Sequence, residues 1–185
     1  MVKRKNYYIS RKRNNKFKFY RAIYNYHATK ISVSTLLEYT GSTIKFKIST
    51  QSYLNIPDSI SAAPDWKLYA NIFNSFKLRG IKITVSPHQA QGGFIGGTTQ
   101  LGVLTSPDLQ GFADVVESNR SMICSMTDVK TLYVNFGNGS TGWLGTQRVG
   151  DLPGKIVAAI SEDSSSGVMH WDVNIDFYVI YKNEL

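Results

Sequence analysis

The sequence predicts an all-β chain: an antiparallel eight-stranded sandwich of the jelly-roll type, with two short helices and a disordered basic N-terminal arm. Three observations predict it. Apolar and polar residues alternate along most of the chain after Lys30, the period of a half-buried strand. Turns rich in Gly, Asn, Asp and Ser separate these segments at 39–42, 137–140 and 163–167,. Only two segments carry helical spacing, and the net basicity lies wholly in the first thirty residues.

The strands follow in order. Ile31–Leu37 is the first candidate. In Thr43–Ser49, Ile44, Phe46 and Ile48 share a face opposite Lys45 and Lys47. Lys77–Ser86 alternates from Ile81 to Val85 but loses register at Leu78, and Gly80 between the two halves predicts a β-bulge,. Gln100–Thr105, Met122–Ser125, Gly142–Arg148 and Lys155–Ser161 are shorter candidates. Lys130–Phe136 puts Leu132, Val134 and Phe136 on one face. Trp171–Tyr181 puts Val173, Ile175, Phe177, Val179 and Tyr181 on one side and Asp172, Asn174 and Asp176 on the other.

Two helices interrupt this pattern. In Pro64–Phe73, Trp66, Tyr69, Ala70 and Phe73 fall at i, i+3, i+4, i+7,. Ser106–Val116 repeats the spacing with Leu109, Phe112, Ala113 and Val116. There Ser106 is a fitting N-cap, and Pro107 stands at the first helical position, where its missing N–H costs nothing.

The charge divides the chain. Residues 1–30 hold ten Lys/Arg and no acid, while the whole 185-residue chain has net charge +8. Residues 31–185 are therefore nearly neutral, with 11 basic and 13 acidic side chains, net −2. The boundary is expected at 1–29 for the arm and 30–185 for the folded domain. Lys3, Arg4, Lys5, Arg11, Lys12, Arg13, Lys16, Lys18 and Arg21 place nine cations in 19 positions. Self-repulsion keeps such a segment extended until a polyanion neutralises it. Binding then releases counterions and depends steeply on salt. Tyr7, Tyr8, Phe17, Phe19, Tyr20, Tyr24 and Tyr26 are interleaved with the cations. Aromatic rings stack on unpaired bases, which favours single-stranded nucleic acid as the partner. The stretch from Phe17 to Tyr26 has a second reading, as aromatics that pack on the domain or a neighbour. The basic clusters also fit a nuclear import signal.

The rest of the chain offers no catalytic constellation, so the expectation is a non-enzyme without a cofactor or resident metal. His27, His88 and His170 lack metal-ligand spacing, and there is no nucleophile-elbow pattern,. Gly92-Gly-Phe-Ile-Gly-Gly97 is not followed by the Lys-Ser/Thr or the helix start of a phosphate-binding loop, and reads as a strand connection,. Asp172 and Asp176 read as the solvated face of an edge strand rather than a cation site, which needs six or more oxygens for calcium. Cys124 is the one cysteine and reads as a small buried apolar residue,. Asn119-Arg-Ser121 and Asn138-Gly-Ser140 match glycosylation acceptors, but with no secretory signal they read as chance matches,. No apolar run approaches the ~20 residues that span a bilayer, so no membrane partner is expected.

Phe73-Asn-Ser-Phe-Lys-Leu-Arg-Gly-Ile-Lys-Ile-Thr-Val-Ser-Pro87 resembles a segment of circovirus-like capsid proteins, in which an aromatic-basic stretch leads into a Val/Ile-Lys-Val/Ile strand ending near a Pro. Trp171–Lys182 resembles that family's last strand, and the arm matches in place and character, although it is rich in Lys, Asn and Tyr where circovirus arms are dominated by Arg. The Leu-Arg-Gly-Ile-Lys-Ile stretch is also similar to coat proteins of small satellite RNA viruses. The resemblance implies a capsid protein of a circular single-stranded DNA virus encoding a replication initiator. It further implies self-association into the smallest icosahedral shell, of 60 copies, a virion location, and passage through the host nucleus by way of import factors. Two other classes stay open at this stage. A cellular nucleic-acid-binding or ribosomal protein with a basic extension predicts basic residues on the body too, against its net −2. An enzyme or sugar-binding jelly roll predicts a His/carboxylate metal set that is missing.

Overall fold

The structure, a computed structural model, describes residues 26–41, 43–91, 98–104, 112–136, 142–161 and 167–184. Three long strands dominate it: β1 (Tyr26–Thr40), β4 (Phe73–Gln91) and β10 (Val168–Glu184). With β2 (Thr43–Phe46), β7 (Lys130–Asn135) and β8 (Leu144–Gly145) they form a six-stranded sheet ordered β2-β1-β10-β4-β7, with β8 also paired to β4. The second sheet is ordered β3-β9-β5-β6, from β3 (Tyr53–Asn55), β9 (Lys155–Ile160), β5 (Thr99–Leu104) and β6 (Ser121–Ile123). Every pairing is antiparallel. The described residues thus hold ten strands where eight were expected. The short β3 is the strand that no candidate segment covered, while β2 and β8 fall within the candidates Thr43–Ser49 and Gly142–Arg148.

The core lies between the sheets. Alternate residues of the large sheet turn inward, among them Ile31, Leu37, Ile83, Val173, Ile175, Phe177 and Tyr181, and meet Leu54, Leu101, Val103, Ile156 and Ala158 of the small sheet. The alternation read from Trp171–Tyr181 holds along its whole length. However, β10 is a central strand between β1 and β4, so Asp172 and Asp176 lie on the face of a sheet interior and not on an edge. The Gly80 bulge is also present. Tyr178 pairs with Gly80 and Val179 with Leu78, so Arg79 is the extra residue and both Leu78 and Ile81 turn inward,. A Cβ on Gly80 would lie 2.8 Å from the Val134 carbonyl oxygen, so this close backbone approach needs glycine,. The strand runs on past Pro87 through a second irregularity, where His88 is the extra residue. A bulge is where a proline without an N–H is tolerated in a sheet.

The small sheet is covered on both faces. Leu101, Val103, Ile156 and Ala158 face the main core, while Leu104, Val157 and Ala159 pack with Val115 on the other side. This explains why Lys155–Ile160 reads as a continuous apolar run. Val115 belongs to helix α3 (Phe112–Glu117). The expected apolar face is therefore shifted by one residue, since Val116 is exposed and Val115 is buried. The proposed cap at Ser106 and Leu109 lie outside the described residues, as does the glycine-rich stretch 92–97.

Helix α2 (Pro64–Ala70) matches the expectation, with Trp66 buried, Tyr69 and Ala70 against the core, and Phe73 already in β4. It is preceded by an unexpected helix, α1 (Ile56–Ala62), which buries Ile56, Ser59 and Ile60. Two strand readings fail. Thr43–Ser49 turns after Phe46, which leaves Ile48 exposed. Gly142–Arg148 is only the two-residue β8 followed by a 3-10 helix at Thr146–Asp151, fastened by the Thr146 hydroxyl donating to the Phe73 carbonyl at 3.1 Å. No helix among the described residues is long and apolar enough to cross a membrane.

Candidate nucleic-acid interface

The nine cations singled out in the arm, Lys3 to Arg21, all lie outside the described residues. What the structure places is the point where the arm joins the body. β1 begins at Tyr26, four residues before Lys30, and pairs there with the end of β10, Tyr26 opposite Lys182 and Ala28 opposite Ile180. Tyr26 stacks on Trp143 with ring centroids 5.5 Å apart, and the Lys182 ammonium sits 4.3 Å over the same Trp143 ring. His27 stacks on Phe73 at 5.6 Å and touches Tyr69 at 5.2 Å. So Tyr26, the last residue of the aromatic stretch Phe17–Tyr26, is packed on the body, and His27 follows it there. Residues 17–25 lie outside the described part.

The outward face of the large sheet carries this junction and divides into two halves. Near the arm, one cross-strand row runs Lys30, Tyr178, Gly80, Asn135 and the next runs Ser32, Asp176, Lys82, Tyr133. Lys77 lies opposite Ile180 and Lys182 opposite Ser75 on the same side. Asp176 is neutralised locally, with Lys30 at 3.4 Å and the Ser32 hydroxyl donating to it at 2.7 Å. Lys82 and Lys182 lie on the same half. The far half is mixed: Asp172 meets His88 at 2.9 Å, and Glu38 meets Lys45 at 3.8 Å. Asp172 and Asp176 are thus held by separate partners, and among the described residues no three His, Cys, Asp or Glu side chains cluster as metal ligands. His170 lies opposite Glu38 on this face.

Two open grooves mark the face. One, of about 390 Å³, follows the bulge and is lined by Arg79, Gly80, Asn135 and the rings of Tyr133 and Tyr178. Tyr133 is 66% exposed and Tyr178 38%, high for tyrosines in strands. The Lys82 ammonium lies 5.7 Å from the Tyr133 ring centre. The other, of about 560 Å³, lies in the mixed half, between Leu36, Ile48, Asp172 and Asn174. Tyr133 and Tyr178 are not among the residues expected at the interface. Their signal was present: each occupies a polar-phase position in a strand whose neighbours, Leu132 and Val134 or Phe177 and Val179, point inward,.

Cys124 is buried and carries a free thiol, as expected, and burial pushes its pKa up to about 12,.

No protein-family model matches the chain, and no curated protein matches it in sequence. Solved structures do match in fold. A mud crab tombus-like virus particle aligns over 86% of this chain and 90% of its own, with a TM-score of 0.59 and 10% identity. The T=1 subviral particle of a Penaeus vannamei nodavirus capsid protein deletion mutant aligns over 85% and 98%, at 0.58 and 10% identity. Tobacco necrosis virus aligns over 86% and 97%, at 0.57 and 11% identity. The chain therefore has the antiparallel jelly-roll fold of these virus-particle proteins.

Proposed function

We propose that the chain is a viral capsid protein that self-assembles into a small icosahedral shell and packages a single-stranded genome through its basic N-terminal arm. The observation that carries this reading is the joining of two parts: a jelly roll of the virus-particle type, and an arm of nine cations that leaves it at the positive half of one sheet face. A role as a structural, non-catalytic protein accords with that fold. The cellular alternative, a ribosomal or other nucleic-acid-binding protein, is less well supported, because the body is net −2.

In a 60-subunit shell, arms of nine Lys/Arg each would supply roughly 540 positive charges to neutralise packaged phosphates,. Subunit contacts would draw on exposed apolar side chains, of which Leu68, Ile72, Ile123 and Val129 are each at least half exposed,. The arm clusters Lys3–Lys5 and Arg11–Arg13 would serve import factors in the host nucleus before assembly.

The likeness to circovirus-like proteins puts DNA first as the genome. RNA is the second reading, favoured because the structural neighbours are mainly RNA-virus particles. The test is to purify the expressed chain, image it, and digest the protected nucleic acid with DNase and RNase. Closed shells of uniform diameter holding nucleic acid are expected, and the nuclease that destroys the cargo identifies it. A discrete monomer, dimer or trimer would sink the capsid reading.

A further inference from the structure

The geometry points to a base-stacking site on the folded body: the groove between Tyr133 and Tyr178 at the Gly80 bulge takes an unpaired base of single-stranded nucleic acid. This rests on the packaging role proposed above and deepens it, since it assigns the body a contact separate from the arm.

The bulge makes the groove. Arg79 is the extra residue of β4, and Gly80 beside it has no side chain to fill the space between the two rings. Tyr178 flanks it from β10 and Tyr133 from β7, on the same outward face and in adjacent cross-strand rows. An open groove lined by two exposed tyrosines suits a base, because every base has a π face and stacking is indifferent to sequence,. Asn135 lines the slot as well.

Charge selects the ligand. Lys82 lies over the Tyr133 ring, and Lys182 belongs to the same half of the face. The one acidic side chain in these rows, Asp176, is engaged by Lys30 and Ser32. A base in the slot therefore has cations on its flanks for the neighbouring phosphates. A duplex cannot use the slot, because its bases are already stacked and paired. β1 begins at Tyr26, opposite Lys182 on this same half.

The test separates stacking from charge. The full-length chain is titrated with fluorescein-labelled dT20, and in parallel rU20, across a salt series, beside Tyr133→Leu, Tyr178→Leu and the double variant. Melting curves establish that each variant is folded. Loss of stacking should weaken the double variant roughly 5- to 100-fold with the slope of log K against log salt unchanged. Neutralising Lys3, Arg4 and Lys5 to Gln should instead flatten that slope by about 2 units. Ultraviolet crosslinking of filled particles, followed by mass spectrometry, should place nucleotides on Tyr133 or Tyr178. Unchanged affinity in the double variant with wild-type crosslinks confined to residues 1–25 would overturn the groove while leaving packaging intact. Crosslinks from the groove to the chain's own arm, or to a second copy, would overturn it in favour of a protein occupant. Failure of the wild-type chain to bind either oligonucleotide would sink both readings.

Discussion

Tyr181 is the most informative single side chain in the core. Its ring is fully buried, stacked on Tyr69 at 5.2 Å and Phe73 at 5.3 Å, and close to Trp66 at 5.9 Å. Its hydroxyl is enclosed without a hydrogen-bond partner among the described residues. A buried polar group left unpaired costs about 1–3 kcal/mol, while the stacking belongs to the ring. Tyr181→Phe keeps the ring and removes the orphan, so it should raise stability by about 1 kcal/mol, or roughly 2–4 °C in Tm; a calorimetric scan checks this. Burial, and then the neighbouring Tyr69, hold the Tyr181 phenol above its ordinary value of 10.0,. Burial does the same for Cys124, from 9.0 to about 12. For both, the folded form holds its proton more tightly than the unfolded chain does. Their contribution is therefore complete below the ordinary values and is lost as pH rises toward the folded ones. For Cys124 that window runs from pH 9.0 to about 12. The urea midpoint should fall through it, and Cys124→Ala should flatten the fall between pH 9 and 11 whatever small cavity it leaves at neutral pH. An equal slope in the variant would count against this assignment.

At the scale of elements, the Gly80 bulge links the fold to the candidate site. A methyl group there would stand 2.8 Å from the Val134 carbonyl, so β4 and β7 must part to admit it. Gly80→Ala should cost about 2 kcal/mol and should also disturb the groove between Tyr133 and Tyr178. Chemical denaturation reads the first effect, and oligonucleotide affinity the second. The bulge was legible because Leu78 and Ile81 break a two-residue period across a glycine. β10 and the face of β7 were legible for the same reason, as period 2 is unambiguous when one face is wet. Where the rule failed, the surroundings had changed. Ile48 lies within a turn held by the Phe46 carbonyl, which accepts from the N–H groups of Ser49 and Thr50. α1 spans only seven residues, with Pro57 in its first turn and Asp58 beside it, a start signal too short to show a period,. Helix α3 rests on the outer side of the small sheet, where Gly102 leaves room for Val115, and nothing local in the sequence reveals which residue meets that notch. The site was legible in its charge, concentrated in the arm. Its aromatic half on the body was not, because a tyrosine on a wet face looks like any polar-phase residue until the bulge and the register bring Tyr133 and Tyr178 to one groove.

For the whole molecule, the open question is where the tether ends and the shell begins, and the junction at Tyr26 makes this testable. The charge profile puts the boundary after residue 29, whereas β1 already pairs Tyr26, His27, Ala28 and Thr29 with Lys182, Tyr181, Ile180 and Val179. Removing residues 1–25 takes nine cations and leaves that pairing in place. Removing residues 1–29 takes the same nine cations, and with them the stacks of Tyr26 on Trp143 and of His27 on Phe73, together with the hydrogen bond from the Thr29 hydroxyl to the Tyr69 oxygen at 3.3 Å. Aromatic pairs contribute about 0.5–1.5 kcal/mol each, so the longer deletion should lose roughly 2–3 kcal/mol, or about 4–12 °C in Tm. Both deletions should strip nucleic acid from purified particles, read as the ratio of absorbance at 260 and 280 nm, because both remove the charge that counterion release acts on. Only the shorter one should retain the melting temperature of the full chain. The two measurements together separate genome capture from shell stability: nucleic acid retained by the 1–25 deletion would show that the body holds the genome without its arm, and equal melting of the two deletions would show that the strand end at Tyr26–Thr29 adds nothing to the fold.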